Sequence, residues 1–400
     1  MGLLADRVNR IKPSPSSMAG QRARELRASG RDILGLTAGE PDFDTPENVI
    51  EAATRAMAQS RTKYTDVGGT PELKAAIADK FLRENGLEYR KEEIIAGTGG
   101  KQVIFNALMC TVGKGDEVIV PAPYWVSYPD IALLAGATPV FAMTRVEDGF
   151  KLRPQDLERA ITPRTRWLIL NAPNNPSGAT YTAEELRALA EVLGRHPHVW
   201  VLSDDMYEHI LYDGRRFSTL AQVAPELKAR TLTVNGVSKA YAMTGWRIGY
   251  AGGPAELVKA MTKLQSQSTS NPSSIGQAAA REALAGPQDF IAERTAIFQQ
   301  RRDFLVDALN RIPGIRCHAP EGAFYALPSC AGLMGRRTPQ GKVLASDEDF
   351  VMYLLEEVDF AVLQGAAYGV SPYFRLSFAA SMAAIEEGCE RLRRACERLG

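Results

Sequence analysis

Five short runs of apolar or β-branched residues constrain this chain most. They are Ile94-Ile95-Ala96, Glu117 to Val120, Trp167 to Leu170, Val199 to Leu202 and Thr231 to Val234. Each is too short for a stable helix. Apolar residues follow one another without alternation, the pattern of a strand covered on both faces. Helix signals stand between them, such as Thr182 three positions before Glu185, a capping box for a helix to Leu193. Strands of this kind separated by helices form a largely parallel α/β sheet. Ligands in such sheets bind beyond the carboxyl ends of the strands. The unusual polar stretches fall at those ends: GTGGKQ (97–102), PAPYW (121–125), NAPNNPSG (171–178), SDDMY (203–207) and NGVSKAYAMTGWRIGY (235–250).

Outside the runs, helical spacing predicts helices from about Ala19 to Ser29, from Pro46 to Gln59 and from Pro71 to Glu84. From about Ala255 the chain reads as helical, with a long charged helix near Asp289 to Ile312. EGAFYALP (321–328) opens a second α+β region with a candidate strand at Phe374 to Phe378. A final helix sets Ile385, Cys389, Leu392, Cys396 and Leu399 on one face.

Composition removes several functions. The 47 basic residues balance 47 acidic ones, which argues against a nucleic-acid partner. No apolar run approaches a membrane span, and the N-terminus lacks a signal-peptide core. Five scattered cysteines without CxxC spacing read as reduced thiols of a cytoplasmic protein. The four histidines form no metal-ligand pattern, so no metal is expected.

The strand-end motifs carry the chemistry. Lys239 lies in a loop after a buried run, where an amine loses solvation and becomes nucleophilic. Arg247, between Gly245 and Gly249, suits an anionic group. Together they point to a covalent aldehyde cofactor bearing a phosphate; the plain alternative is a surface lysine and a structural arginine. Gly97 to Gln102 joins a strand to a helix and offers a phosphate cradle. It is neither a Walker P-loop, since Ile95 and Gln102 stand where glycine and Ser/Thr are required, nor GxGxxG. A simple βα turn explains it equally. Asp204, at a buried strand end, needs a partner such as a protonated pyridine nitrogen, or is a turn residue. Asn175 precedes Pro176, a bond open to the cis form. Trp125 either stacks on a planar cofactor or fills core. Arg375, within YFRLSF, meets a substrate carboxylate or a structural ion pair.

Jointly, AGEPDFDTP (38–46), KYTD (63–66), GTGGKQ, APYWVSYP (122–129), NAPNNPSG, SDDMYEH (203–209), SKAYAMTGWRIGY (238–250) and FRLSFA (374–379) resemble one family over nearly the whole chain. They are similar to the class I, fold-type I pyridoxal-phosphate-dependent aminotransferases, within them the bacterial aspartate and prephenate aminotransferases. The resemblance implies a mostly parallel sheet sandwiched by helices, with a smaller α+β domain built from both termini. Residues 1–46 would be the N-terminal segment and part of that small domain. Residues 47–310 would form the cofactor domain and 311–400 the C-terminal small domain.

The resemblance also implies roles. Lys239 would hold pyridoxal 5′-phosphate as a Schiff base and move the substrate proton. Asp204 would pair with the ring nitrogen, Tyr207 and Asn175 with the phenolic oxygen, and Trp125 would stack on the ring. Arg247 with the Gly99, Gly100 and Lys101 backbone would hold the phosphate, and Tyr64 would reach the phosphate of a second subunit in a homodimer. Arg375, Asn175 and Gly39 would take the substrate α-carboxylate. One position departs from many relatives: Gly236 replaces a phosphate-binding serine three residues before the lysine, with Ser238 as the candidate substitute. Lys101, Ser16 and Lys12 would meet the distal carboxylate. The expected reaction is aspartate plus 2-oxoglutarate giving oxaloacetate plus glutamate, with prephenate as an additional or alternative acceptor. A β-lyase, or a cofactor-binding regulator on the same fold, are the rivals.

Overall fold

A computed structural model describes residues 3–11 and 15–400, with backbone alone for residues 15–20. Among the described residues, seven strands form the central sheet. Their order is Ile94–Gly97, Gly249–Gly252, Thr231–Gly236, Trp200–Asp204, Thr165–Asn171, Glu117–Ala122 and Thr138–Met143. Gly249–Gly252 runs antiparallel to both neighbours and the remaining pairings are parallel. All five sequence-predicted strands are therefore present in an α/β sheet. Ile94–Gly97, at one edge of the sheet, and Thr231–Gly236, inside it, are buried along their whole length, as continuous apolar patterning requires.

Two strands of this sheet were not anticipated. Thr138–Met143 is the half-exposed edge strand, so its sequence lacks a continuous apolar run. Gly249–Gly252 reads as a turn because two of its four residues are glycine. Those glycines have a packing reason. A Cβ on Gly249 would collide with the Gly99–Gly100 backbone, and one on Gly252 would lie 2.5 Å from the Tyr89 ring.

Local signals set the helices. Thr70 caps Pro71–Asn85, its side chain accepting from the Leu73 amide at 3.2 Å, and Gly86 ends it in the left-handed conformation. Thr182 and Glu185 form the expected capping box for Ala183–Arg195. The long helix covers Asp289–Asn310. Its Phe298, Leu305 and Leu309 join the C-terminal core with Phe324, Phe350, Phe374 and Ile385. A second, antiparallel sheet orders Leu363–Gln364, Phe374–Ser377 and Tyr325–Ala326. Leu34–Gly35 pairs in parallel with Phe360–Ala361, which ties the N-terminal segment to the C-terminal region. Four cysteines are buried, Cys110 is half-buried, and all five are free thiols. No helix among the described residues is long and apolar enough to cross a membrane.

Candidate active site

Sheet register assembles the site. Asn171 pairs with Asp204, and Asp204 with Val234. Gly249 pairs with both Gly97 and Gly236. The motif-bearing ends of these strands thus lie side by side, and they open on a cavity of about 410 Å³. Gly39, Gly100, Lys101, Trp125, Asn175, Asp204, Tyr207, Ser238, Lys239, Arg247 and Arg375 all line it.

At one end, Gly99 (φ +84°) precedes the helix Gly100–Thr111. The Arg247 guanidinium lies against Gly99, where any Cβ would collide with it, and donates to the Thr244 carbonyl at 2.8 Å. No carboxylate pairs with Arg247 among the described residues. A helix N-terminus beside an uncommitted guanidinium is an anion site. Lys101 Nζ sits 4.8 Å from the Trp125 ring centroid, and burial, then Arg247, lowers its pKa. Gly236 leaves little room for a serine. Its Cβ would lie 3.0 Å from Met206 Cε and 3.1 Å from the Ile248 carbonyl oxygen.

In the middle, Lys239 Nζ donates to the Gly39 carbonyl at 2.6 Å. Burial above all, with Arg375 and Arg247 adding, brings its amine down to about 8. A fraction is then neutral and nucleophilic near pH 7. Asp204 is buried and accepts from Tyr128 Oη at 2.6 Å and from the Met206 amide at 3.3 Å. Burial pushes its carboxyl up, because these two donors and the distant Lys239 do not compensate. Such a group gains from a positively charged partner in the cavity. Tyr207 Oη meets Tyr325 Oη at 3.0 Å.

At the other end, Arg375 is 3% exposed. Its guanidinium donates to Asn175 Oδ1 at 3.0 Å and to the Thr37 carbonyl at 2.8 Å, and packs on the Tyr325 ring at 4.4 Å. Nε has no partner. The structural ion pair considered from sequence is absent among the described residues. A buried guanidinium with a free N–H matches a planar carboxylate. The Asn175-Pro176 bond is cis.

One expected residue stands apart. Tyr64 is 92% exposed and lines a separate surface pocket. Lys12 lies outside the described residues, and so does the Ser16 side chain. Sequence reasoning also missed residues. Tyr128 lies within APYWVSYP, yet nothing in its spacing revealed that its hydroxyl reaches Asp204. Tyr325 supplies the floor under Arg375 from a two-residue strand. Glu40, which accepts from Thr244 Oγ1 at 2.7 Å, lines the cavity from the AGEPDFDTP loop. Of the histidines, His209 approaches Glu84 and Glu208, and Lys80 supplies the positive charge there.

The model for aminotransferase class I and II matches residues 31–392. The chain is 57% identical over 396 residues to the aspartate/prephenate aminotransferase of Cereibacter sphaeroides, covering 99% of both chains. It is 57% identical over 395 residues to an aspartate aminotransferase of Rhizobium meliloti, covering 99% of this chain and 96% of that one. Among solved structures it matches an aspartate aminotransferase from Rhizobium meliloti with a TM-score of 0.98 at 56% identity, covering both chains fully. The aspartate aminotransferase of Thermus thermophilus with maleate matches at 0.92 and 44% identity, covering 99% of this chain and 100% of that one. With strand ends, lysine loop and glycine cradle in one cavity and this likeness along its length, the chain belongs to the class I and II aminotransferase family.

Proposed function

We propose that the protein takes pyridoxal 5′-phosphate and transfers the amino group of L-aspartate to 2-oxoglutarate, with prephenate as a further acceptor. The observation that carries the proposal is one cavity with two arginines free of carboxylate partners, a lysine lowered to about 8 and a buried aspartate pushed up. The groups fit the cofactor. Gly99, Gly100, the start of the following helix and Arg247 suit its phosphate; a Cβ at Gly99 would displace the Arg247 guanidinium, and one at Gly100 would press on Met206 Cε. Asp204 would hold a proton on the pyridine nitrogen. When bound, the cofactor supplies an electrophilic aldehyde and an electron sink.

Lys239 provides the amine that holds it and, once freed, a base near the substrate Cα. Arg375, held by Asn175 and Thr37, receives the α-carboxylate and orients the Cα–H bond. Lys101 at the cavity wall offers a point charge to the distal carboxylate. A point charge fixes no single carboxylate geometry, which suits both four- and five-carbon dicarboxylates. The Thermus relative's structure with maleate supports a dicarboxylate site, and the Cereibacter relative's name supports prephenate. Tyr64, exposed on its own chain, reads as a residue given to the cavity of a second copy, so the active unit is a homodimer. We infer a small domain of residues 1–46 and 311–400 around the cofactor domain.

A half-reaction panel tests the substrate. The cofactor-loaded protein is mixed with aspartate, glutamate, alanine and phenylalanine, and its amine form with 2-oxoglutarate and prephenate, while the absorption spectrum is followed. Rapid conversion by aspartate and return by 2-oxoglutarate are expected. Alanine or phenylalanine outpacing aspartate would refute a dicarboxylate enzyme. Return by prephenate at a comparable rate would establish dual function.

A further inference from the structure

Four residues beyond Asp204, the same turn places another buried carboxylate, Glu208, in different surroundings. Glu208 receives Lys80 Nζ in a short ion pair, Asn85 Nδ2 at 2.7 Å and Asn235 Nδ2 at 2.7 Å. Lys80 is fully buried and also donates to Asn85 Oδ1 at 2.8 Å. Asn235 in turn accepts from the Gly236 amide at 2.7 Å. Burial pushes Glu208 up, but Lys80, His209 and the hydrogen bonds outweigh it and hold the carboxyl below its usual range.

Resting on the proposed function, we infer that Lys80, Glu208 and Asn235 are positioning residues that set the Lys239 loop against the Asp204–Tyr207 turn. The links join the three segments concerned. Lys80 and Asn85 belong to the helix Pro71–Asn85. Glu208 directly follows Tyr207 and is four residues after Asp204. Asn235 and Gly236 end the strand Thr231–Gly236, from which the chain runs to Lys239. Burying an ion pair in place of apolar side chains is a weak route to stability, whereas directed bonds from three donors fix one register. The register matters because Lys239 comes from one of these segments and Asp204 and Tyr207 from the other. A small displacement between reacting groups is costly in rate.

Three variants test this: Asn235→Ala, Lys80→Met and the double variant Lys80→Met/Glu208→Gln. Two readouts are taken. Hydrogen exchange of segment 236–243 is measured without cofactor. The pH midpoint of the visible absorption band, with kcat and KM for aspartate, is measured on the loaded protein. For Asn235→Ala and Lys80→Met, exchange in that segment is expected to rise by about 10-fold. The band midpoint should shift by about one pH unit. In the same variants kcat should fall by on the order of 30-fold while KM stays within about 3-fold. The double variant keeps a neutral acceptor for Asn235 and leaves no unpaired charge, so it should return to within about 3-fold of wild type. Variants that melt earlier but keep wild-type exchange in the segment, band midpoint and kcat would overturn the positioning role. Wild-type protein that forms no visible band would instead overturn the functional reading. Hydrogen exchange would then still decide whether the network holds the loop.

Discussion

Asp204 and Glu208 are both buried carboxylates on one turn, and their surroundings are opposite. Asp204 has a tyrosine hydroxyl and one long amide bond, and its carboxyl is pushed up. Glu208 has a lysine and two carboxamides, and its carboxyl is held down. The cations divide in the same way. Arg247 and Arg375 face the cavity and donate to neutral carbonyl groups, whereas Lys80 is paired. The cluster left short of partners is built for charge that arrives with a ligand. The satisfied cluster is scaffold. Burial alone does not separate Asp204 from Glu208; the charge of their donors and access to the cavity do.

The largest effect that would sharpen this contrast is at Lys239. Lys239→Ala should abolish the visible band of the loaded protein and reduce aspartate turnover by at least about 10⁴-fold, measured by steady-state kinetics. Arg375→Leu should lower kcat/KM for aspartate by on the order of 10³-fold through loss of a buried bidentate partner. The same change should leave cofactor binding close to wild type.

Stability should move in opposite directions for the two clusters. Glu84, beside His209 and Lys80, has a folded value of about 2 against 4.5. Burial raises it, and the His209 hydrogen bond and Lys80 more than reverse that. Between those values the unfolded chain binds more protons. Its contribution is therefore complete above pH 4.5 and lost as pH falls toward 2. Glu84→Gln should remove about 2 kcal/mol at pH 7 and flatten the acid limb of the stability curve, read by urea unfolding. Asp204 has the reverse sign, since its raised folded value means the ionised form opposes folding. Asp204→Asn should leave the cofactor-free protein at least as stable at pH 7, while activity falls. Equal destabilisation by both changes would break the comparison.

The smallest effect concerns the departure at Gly236. Gly236→Ser forces its Cβ onto Met206 and the Ile248 carbonyl, at a cost of about 1–3 kcal/mol. Unfolding of the cofactor-free protein should report that loss, and cofactor affinity should not improve. The backbone of Ile248 and Gly249, with the Met206 tip, crowds this position and favours the glycine that departs from many relatives.

Continuous apolar runs made the buried strands legible, the covered edge strand Ile94–Gly97 among them, because burial on both faces writes itself into every residue. Edge strand Thr138–Met143 escaped since half its surface is exposed, and Gly249–Gly252 because close backbone packing demands residues that read as turn. The site was legible where a residue's chemistry is unusual for its place, as with Lys239, Asp204 and Arg375. It was not legible where the role depends on reach across the fold. The Tyr128 hydroxyl finds Asp204 from 76 positions away, and Tyr325 meets Tyr207 across 118. Spacing carries no trace of such contacts. Nothing in the spacing of the helix from Pro71 singles out Lys80, yet it is fully buried.

The central claim is that the under-partnered cluster receives the cofactor on Lys239. Borohydride reduction of the pyridoxal-phosphate-loaded protein, followed by digestion and mass mapping, tests it directly. A single pyridoxyl label on Lys239 is the expected result. A label on Lys101 or Lys80 instead, or none after loading, would contradict the account.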